Sequence, residues 1–429
     1  MRSRTGLVGL VILVLVAAAA CDSNKPDRSG SPATTQAGHP AGHMATPTTM
    51  LPADASPTQL RGQFEELLGH HALLAVRLMR AVVAQAPELR TAAEGSLREN
   101  TEALTQTVSA AYGDAQGDRF GRLWESGIAD LTAYAEAVAG NDAAAKQKAR
   151  EDLLADADGY ESWLAQASGG RVQPGAPSAV RTHVDNLMKQ ADAYAARDYA
   201  TAYRIERQDY ENLFGAGVTM AKGSVAPKAA AALDAPPEQL RSAFAMLLGE
   251  HMELVIAAQR ATFAGAPQFK AAAAQVNANS SALTKGMGTI VGPGKAAEFQ
   301  SAWAEHVEGL MAYSTAVAGR DQVAKEAAKE NLNGIAGRLA LYLSDVVRNE
   351  LPVEPLTQAL SAHDTHLIGQ VDAYAAKQYD QADQMEGDGY QQMLGVAGTL
   401  VGAIQKTVKP QLPVGGSQTG FGGMAHAHR

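Results

Sequence analysis

The sequence predicts an all-α protein, a tandem duplication of an antiparallel helical bundle with about six helices per repeat. Three observations carry this expectation. The 429 residues are 46% hydrophobic but only 5% aromatic, and they are rich in Ala, Leu, Glu, Gln and Lys, which favours helices. No run of alternating β-branched residues is long enough to build a sheet. The stretch Leu60-Arg-Gly-Gln-Phe-Glu-Glu-Leu-Leu-Gly-His-His71 returns as Leu240-Arg-Ser-Ala-Phe-Ala-Met-Leu-Leu-Gly-Glu-His251, 180 residues later.

Residues 1–20 join a basic start (Arg2, Arg4) to an apolar run from Leu7 to Ala20, which reads as a secretory signal and is short for a stable membrane span. The run ends in Ala18-Ala19-Ala20-Cys21, which resembles the lipobox of bacterial lipoproteins. That resemblance implies lipidation of Cys21, a membrane anchor and an extracytoplasmic location. Cys21 is the only cysteine, so an intramolecular disulfide and a thiolate metal cluster are excluded. Residues 21–58 are rich in Pro, Ser, Thr, Gly and Ala and lack the apolar side chains that would offset ordering, so a flexible tether is expected. The tether carries His39, His43, Met44 and Met50, and residues 409–429 end in Met424-Ala-His426-Ala-His428, a composition that can collect copper or nickel.

Repeat 1 is expected over residues 59–228. Phe64, Leu67, Leu68, His71, Leu74 and Leu78 fall on one face of its first helix. Pro87 opens the second at the position that tolerates a missing N–H, and Tyr112-Gly113 closes it. The third runs through Phe120, Trp124, Ile128, Leu131 and Tyr134 to Gly140. Asp142 caps the fourth, which carries Leu153, Tyr160 and Trp163 and stops at Gly169-Gly170. Val180, His183, Leu187 and Tyr194 mark the fifth, and Asp198 caps a sixth through Tyr203, Tyr210 and Phe214. After a linker near Ala226 to Pro237, repeat 2 over residues 237–408 restores this order with Phe244, Asn279, Phe299, Trp303, Tyr313, Asp321 and Asp372, at offsets of 179 or 180. The tyrosines Tyr134, Tyr194, Tyr313 and Tyr374 read as core.

The candidate ligands are histidines on the apolar faces of alternate helices. His251 precedes Gly265, His306 precedes Gly319 and His363 precedes Lys377, each by 13 or 14 residues. At 1.5 Å per residue all three stand about 20 Å from the ensuing turn, so three parallel helices would bring three imidazoles together. Three histidines suit copper or zinc. His366, one turn beyond His363, and Glu250 are auxiliary candidates. Repeat 1 keeps His71 and His183, but Gly127 stands where repeat 2 has His306. The plainer reading is that these are core histidines bonded to neighbours such as Asn100, Asn279, Tyr210 or Tyr390.

Several chemistries find no support. A formal net charge of −9, about −11 once Arg2 and Arg4 are removed, disfavours nucleic acid as a partner. None of the seven body histidines has Glu three residues before it, which excludes the carboxylate di-iron pattern. Gly288 to Lys295 is one residue too long for a phosphate loop and lacks its Ser/Thr. No zincin or nucleophile-elbow motif is present, and the expectation is that the protein is not an enzyme.

At Leu247-Leu-Gly-Glu-His251, Asn279, Trp303-Ala-Glu-His306 and Asp372-Ala-Tyr-Ala-Ala376, the repeats resemble an uncharacterised helical domain of secreted bacterial proteins, found in lipoproteins and in chains labelled copper amine oxidase-like. The resemblance implies a helical bundle and, by association, copper. Similar domains often carry His-Met after the tyrosine of the last helix, whereas this chain has Tyr210-Glu-Asn-Leu and Tyr390-Gln-Gln-Met. The expected function is transition-metal binding, copper foremost and zinc second, for storage, buffering or delivery. The alternative is an adaptor whose repeats bind another envelope protein.

Overall fold

In a computed structural model, residues 55–173 and 178–407 are described, and among them there are thirteen helices and no strand. Repeat 1 contributes α1 (Pro57–Val83), α2 (Pro87–Tyr112), α3 (Asp114–Ala139), α4 (Ala143–Ala167), α5 (Ala179–Ala195) and α6 (Tyr199–Ser224). A short α7 (Pro227–Ala232) follows. Repeat 2 contributes α8 (Pro236–Ala264), α9 (Ala266–Val291), α10 (Pro293–Gly319), α11 (Gln322–Val346), α12 (Val353–Ala375) and α13 (Tyr379–Thr407). The bundle expectation holds helix by helix. The linker differs, because Pro227 at the first turn and the alanines behind it are enough to wind α7.

Local chemistry sets the boundaries. Ser56 and Gln59 form a reciprocal capping box that starts α1. Asp142 accepts from the N–H groups of Ala144 and Ala145 to start α4, and Asp198 accepts from Thr201 N to start α6. Gly113 turns α2 into α3 in a single residue at φ 92°, a conformation that a side chain would strain. Phe64, Leu67, Leu68, Leu74 and Leu78 are all buried, as their spacing requires. Each such side chain contributes about 1.5–3 kcal/mol by leaving water.

Within each repeat the first helix is the hub. α1 packs on α2, α3, α5 and α6, and α8 packs in the same way on α9, α10, α12 and α13. The two repeats then pack on each other through α1 with α8, α6 with α9, and α2 with α13, an exchange of equivalent elements about a pseudo-twofold axis. Tyr210 and Tyr390 meet on that axis, their hydroxyls 3.2 Å apart. Gly69 and Gly249 make the meeting possible. A Cβ on Gly69 would lie 2.8 Å from the Tyr390 hydroxyl, and one on Gly249 would lie 2.7 Å from the Tyr210 hydroxyl. The core is continuous across the contact, since Leu73, Tyr203, Tyr210 and Phe214 join the repeat 2 cluster.

Candidate metal centre

His251 on α8, His306 on α10 and His363 on α12 lie 13, 13 and 12 residues before the ends of their helices. The three helices pack on one another, so the equal heights expected from the sequence become a meeting of side chains. The ring centroids form a nearly equilateral triangle with sides of 5.6, 5.8 and 5.5 Å. One ligand-type atom of each histidine lies within 4.8 Å of the other two. With metal–nitrogen bonds of about 2.0–2.1 Å, bound nitrogens stand roughly 3.3–3.5 Å apart, so the rings need only a modest closure to hold an ion.

The electrostatics suit ligation at neutral pH. All three rings are buried. Burial, reinforced by the neighbouring imidazoles, holds His251 and His363 well below the usual imidazole range, and burial pushes His306 down to about 4. The rings are therefore neutral, with lone pairs available. Neither nitrogen of His251, neither nitrogen of His363, nor Nε2 of His306 has a hydrogen-bond partner in the protein, so five of six imidazole nitrogens are orphaned in a buried core. The sixth, His306 Nδ1, faces Asp364 Oδ1 at 3.4 Å. A carboxylate behind an imidazole is the arrangement that orients metal-bound histidines. Burial raises Asp364 to about 8, so in the metal-free protein at pH 7 it is mostly the neutral acid.

The partners expected of core histidines are committed elsewhere. Asn279 donates to Leu247 O at 2.9 Å and to Glu250 Oε2 at 2.7 Å, and Tyr210 and Tyr390 serve the axis between repeats. Trp303 lies against the triad, 4.5 Å from His251 and 5.4 Å from His306 between ring centroids, and its Nε1 makes no hydrogen bond. The auxiliary candidates sit apart from the triad. Glu250 pairs with Arg207 of repeat 1 at 2.6 Å, and its acid is raised to about 7 by burial that this arginine opposes. His366 is half-buried on the next turn, with Asp388 nearby.

Repeat 1 brings His71 and His183 together, 5.4 Å between centroids, without a third imidazole. His71 Nδ1 accepts from Trp124 Nε1 at 3.1 Å, the behaviour of a satisfied core histidine. His183 Nδ1 is 2.7 Å from Asp209 Oδ2, and its Nε2 has no partner. Asp209 was not legible as a partner because repeat 2 has Gly389 there, and Asp364 was not because repeat 1 has Val184.

Among the described residues a second group has metal-like spacing, His70 with Glu253 and Glu386. Two arginines already compensate it. Arg77 reaches Glu253 at 2.9 Å and also pairs with Glu386, while Arg260 reaches Glu386 and Asp383 at 2.9 Å each. His70 stacks on Tyr390 at 4.9 Å. This network joins the repeats, and each of its carboxylates already faces an arginine.

Cys21, both His/Met tracts and the tether up to residue 54 lie outside the described residues, whereas its last four residues cap and begin α1. Among the described residues, no helix is long and apolar enough to cross a membrane. No protein-family model, curated protein or solved structure matches the chain. The class is therefore set by fold and side chains alone, a duplicated helical bundle with a buried tris-histidine cluster in one half.

Proposed function

We propose that this is a lipid-anchored, extracytoplasmic protein that binds copper, as Cu(I), through His251, His306 and His363, for storage, buffering or delivery. The observation that carries the reading is the set of five orphaned imidazole nitrogens. Leaving a buried polar atom unpaired costs about 1–3 kcal/mol, and an ion at the centre of the triangle would satisfy three of these five nitrogens at once, one from each ring.

Charge and coordination favour Cu(I) over Zn(II). The cost of burying an ion grows with the square of its charge, so a monovalent ion enters this buried core far more cheaply than a divalent one. Cu(I) also accepts three nitrogen ligands, whereas zinc completes a tetrahedron with a fourth. Zinc remains the second choice. The adaptor alternative, with histidines serving only the core, needs partnered rings of the kind His71 has and His251 lacks. Lipidation at Cys21 and export rest on residues 1–21, and the partner on the membrane side is the bilayer itself.

The test is anaerobic Cu(I) uptake by the full chain against a competing chelator. The wild type is expected to hold one equivalent that the variant His251→Leu, His306→Leu, His363→Leu lacks. Equal uptake by the two proteins would confine any metal role to the terminal tracts and leave the bundle as a scaffold.

A further inference from the structure

We propose a second, open metal site in repeat 1, where His183 and His71 face the space left by Gly127 and an imidazole from outside the bundle completes the coordination. The proposal rests on reading the repeat 2 triad as metal ligands.

The duplication supplies the geometry. Trp124 and Trp303 are equivalent at an offset of 179 residues, as are Gly127 and His306. The frames around them superpose in their internal distances. His71 lies 4.6 Å from Trp124 at 54°, and His251 lies 4.5 Å from Trp303 at 53°. The pair His71 and His183 is separated by 5.4 Å, and His251 and His363 by 5.8 Å. What differs is the third ring. In its place repeat 1 has a cavity of about 40 Å³, lined by His71, Trp124, Gly127, Asp156 and His183 among others. At about 10–15 Å³ per water, that is room for roughly three water-sized groups, comparable to a flat five-membered ring. A Cβ on Gly127 would meet nothing closer than Asp156 Oδ2 at 3.9 Å, so the direction a side chain would take is open.

His183 is prepared for ligation. Asp209, fully buried, accepts from its Nδ1–H at 2.7 Å, which fixes the tautomer and leaves the lone pair on Nε2. That nitrogen is buried and has no partner, and the ring lines the cavity. His71 is the weaker ligand, because an ion at its Nδ1 displaces the hydrogen bond from Trp124. Two imidazoles alone leave the ion under-coordinated, and the void admits the ligand class that repeat 2 supplies from its own chain. A histidine side chain presented by a partner protein has that chemistry. The closed triad of repeat 2 then retains metal while the open site of repeat 1 exchanges it.

Free imidazole is the probe. Anaerobic Cu(I) titration of the full chain against a competing chelator is expected to show one tight equivalent without imidazole and a second only when millimolar imidazole is present. His183→Ala should weaken the second by about 10-fold or more and leave the first. Gly127→His should bind the second without imidazole, and His306→Ala should lose the first when imidazole is absent. Failure of the tight equivalent alone would overturn the proposed function. An absent second equivalent, or one indifferent to His183→Ala, would overturn the open site, and neither outcome depends on Gly127→His folding.

Discussion

Tyr210 and Tyr390 occupy equivalent positions in the two repeats and donate or accept across 3.2 Å at the pseudo-twofold axis, each packed over the glycine of the opposite first helix. Their rings have no free side to move toward, since both are fully buried. Gly249→Ala forces a methyl group to within 2.7 Å of the Tyr210 hydroxyl. Urea unfolding of this variant is expected to show a loss of about 1–3 kcal/mol. A loss below a few tenths would mean that the helices at the axis part easily.

The triad sets stability against binding. Replacing His251 by Leu removes two orphaned polar nitrogens from the core and substitutes an apolar side chain of similar size. The metal-free variant is expected to melt no lower than the metal-free wild type, and up to about 1–2 kcal/mol more stably. With Cu(I) at 100 times its Kd the order reverses, because only the wild type gains about 2.7 kcal/mol from binding. A metal-free variant that melts well below the wild type would mark His251 as a core residue with a partner.

In the proposed site Asp364 would act through His306 and not on the ion. Asp364→Asn keeps the volume and removes the acid that faces Nδ1. Copper affinity should fall by about 10–100-fold with the stoichiometry unchanged, and Asp364→Glu should restore part of it. Unchanged affinity in Asp364→Asn would assign the carboxylate to packing alone.

Arg77 crosses between repeats to pair with Glu253, Asp383 and Glu386. Arg77→Ala strands the buried Glu253, since Arg260 still pairs with Glu386 and Asp383, and should cost about 3–5 kcal/mol. Adding Glu253→Gln to that variant should recover part of the loss, since it removes the stranded acid. Additive penalties in the double variant would show that the arginine and this acid do not interact.

Glu66, also near the axis, has its acid raised to about 7 by burial, partly opposed by Gln391. Its folded value lies above its unfolded value, so the folded state holds the proton more tightly. Its contribution to stability is present below about pH 4.5 and is lost as pH rises through about 7. Glu66→Gln should flatten this fall, by on the order of 2 kcal/mol between pH 5 and 8. Parallel pH profiles for variant and wild type would place the loss on other groups.

Helix ends and the histidine triangle were legible in the sequence for the same reason: both follow from local rules applied along one chain. Pro87, Gly113, Asp142 and Asp198 act on their immediate neighbours, and a fixed rise per residue turns equal spacing of His251, His306 and His363 into equal height. The rest depends on contacts between helices far apart in sequence. Asp364 meets His306 across 58 residues with no repeated counterpart, and Glu250, offered by the sequence as an auxiliary ligand, is instead claimed by Arg207 from the other repeat. Gly69 and Gly249 recur in the repeated stretch, but nothing along the chain says that a tyrosine from the other half closes over each of them.

The interface network has one further consequence. Arg80 with Glu206 and Arg260 with Glu386 repeat faithfully, but Arg77, Glu253 and Asp383 correspond to Ala257, Leu73 and Tyr203. Positive charge has drifted into one half and negative charge into the other. Two copies of repeat 2 brought together about the same axis would bury four acids, two of Glu253 and two of Asp383, with no Arg77 to meet them. Two copies of repeat 1 would bury two copies of Arg77 without an acid to meet them. The halves have become lock and key from what duplication made as identical twins, and the fused chain guarantees that each always finds the other.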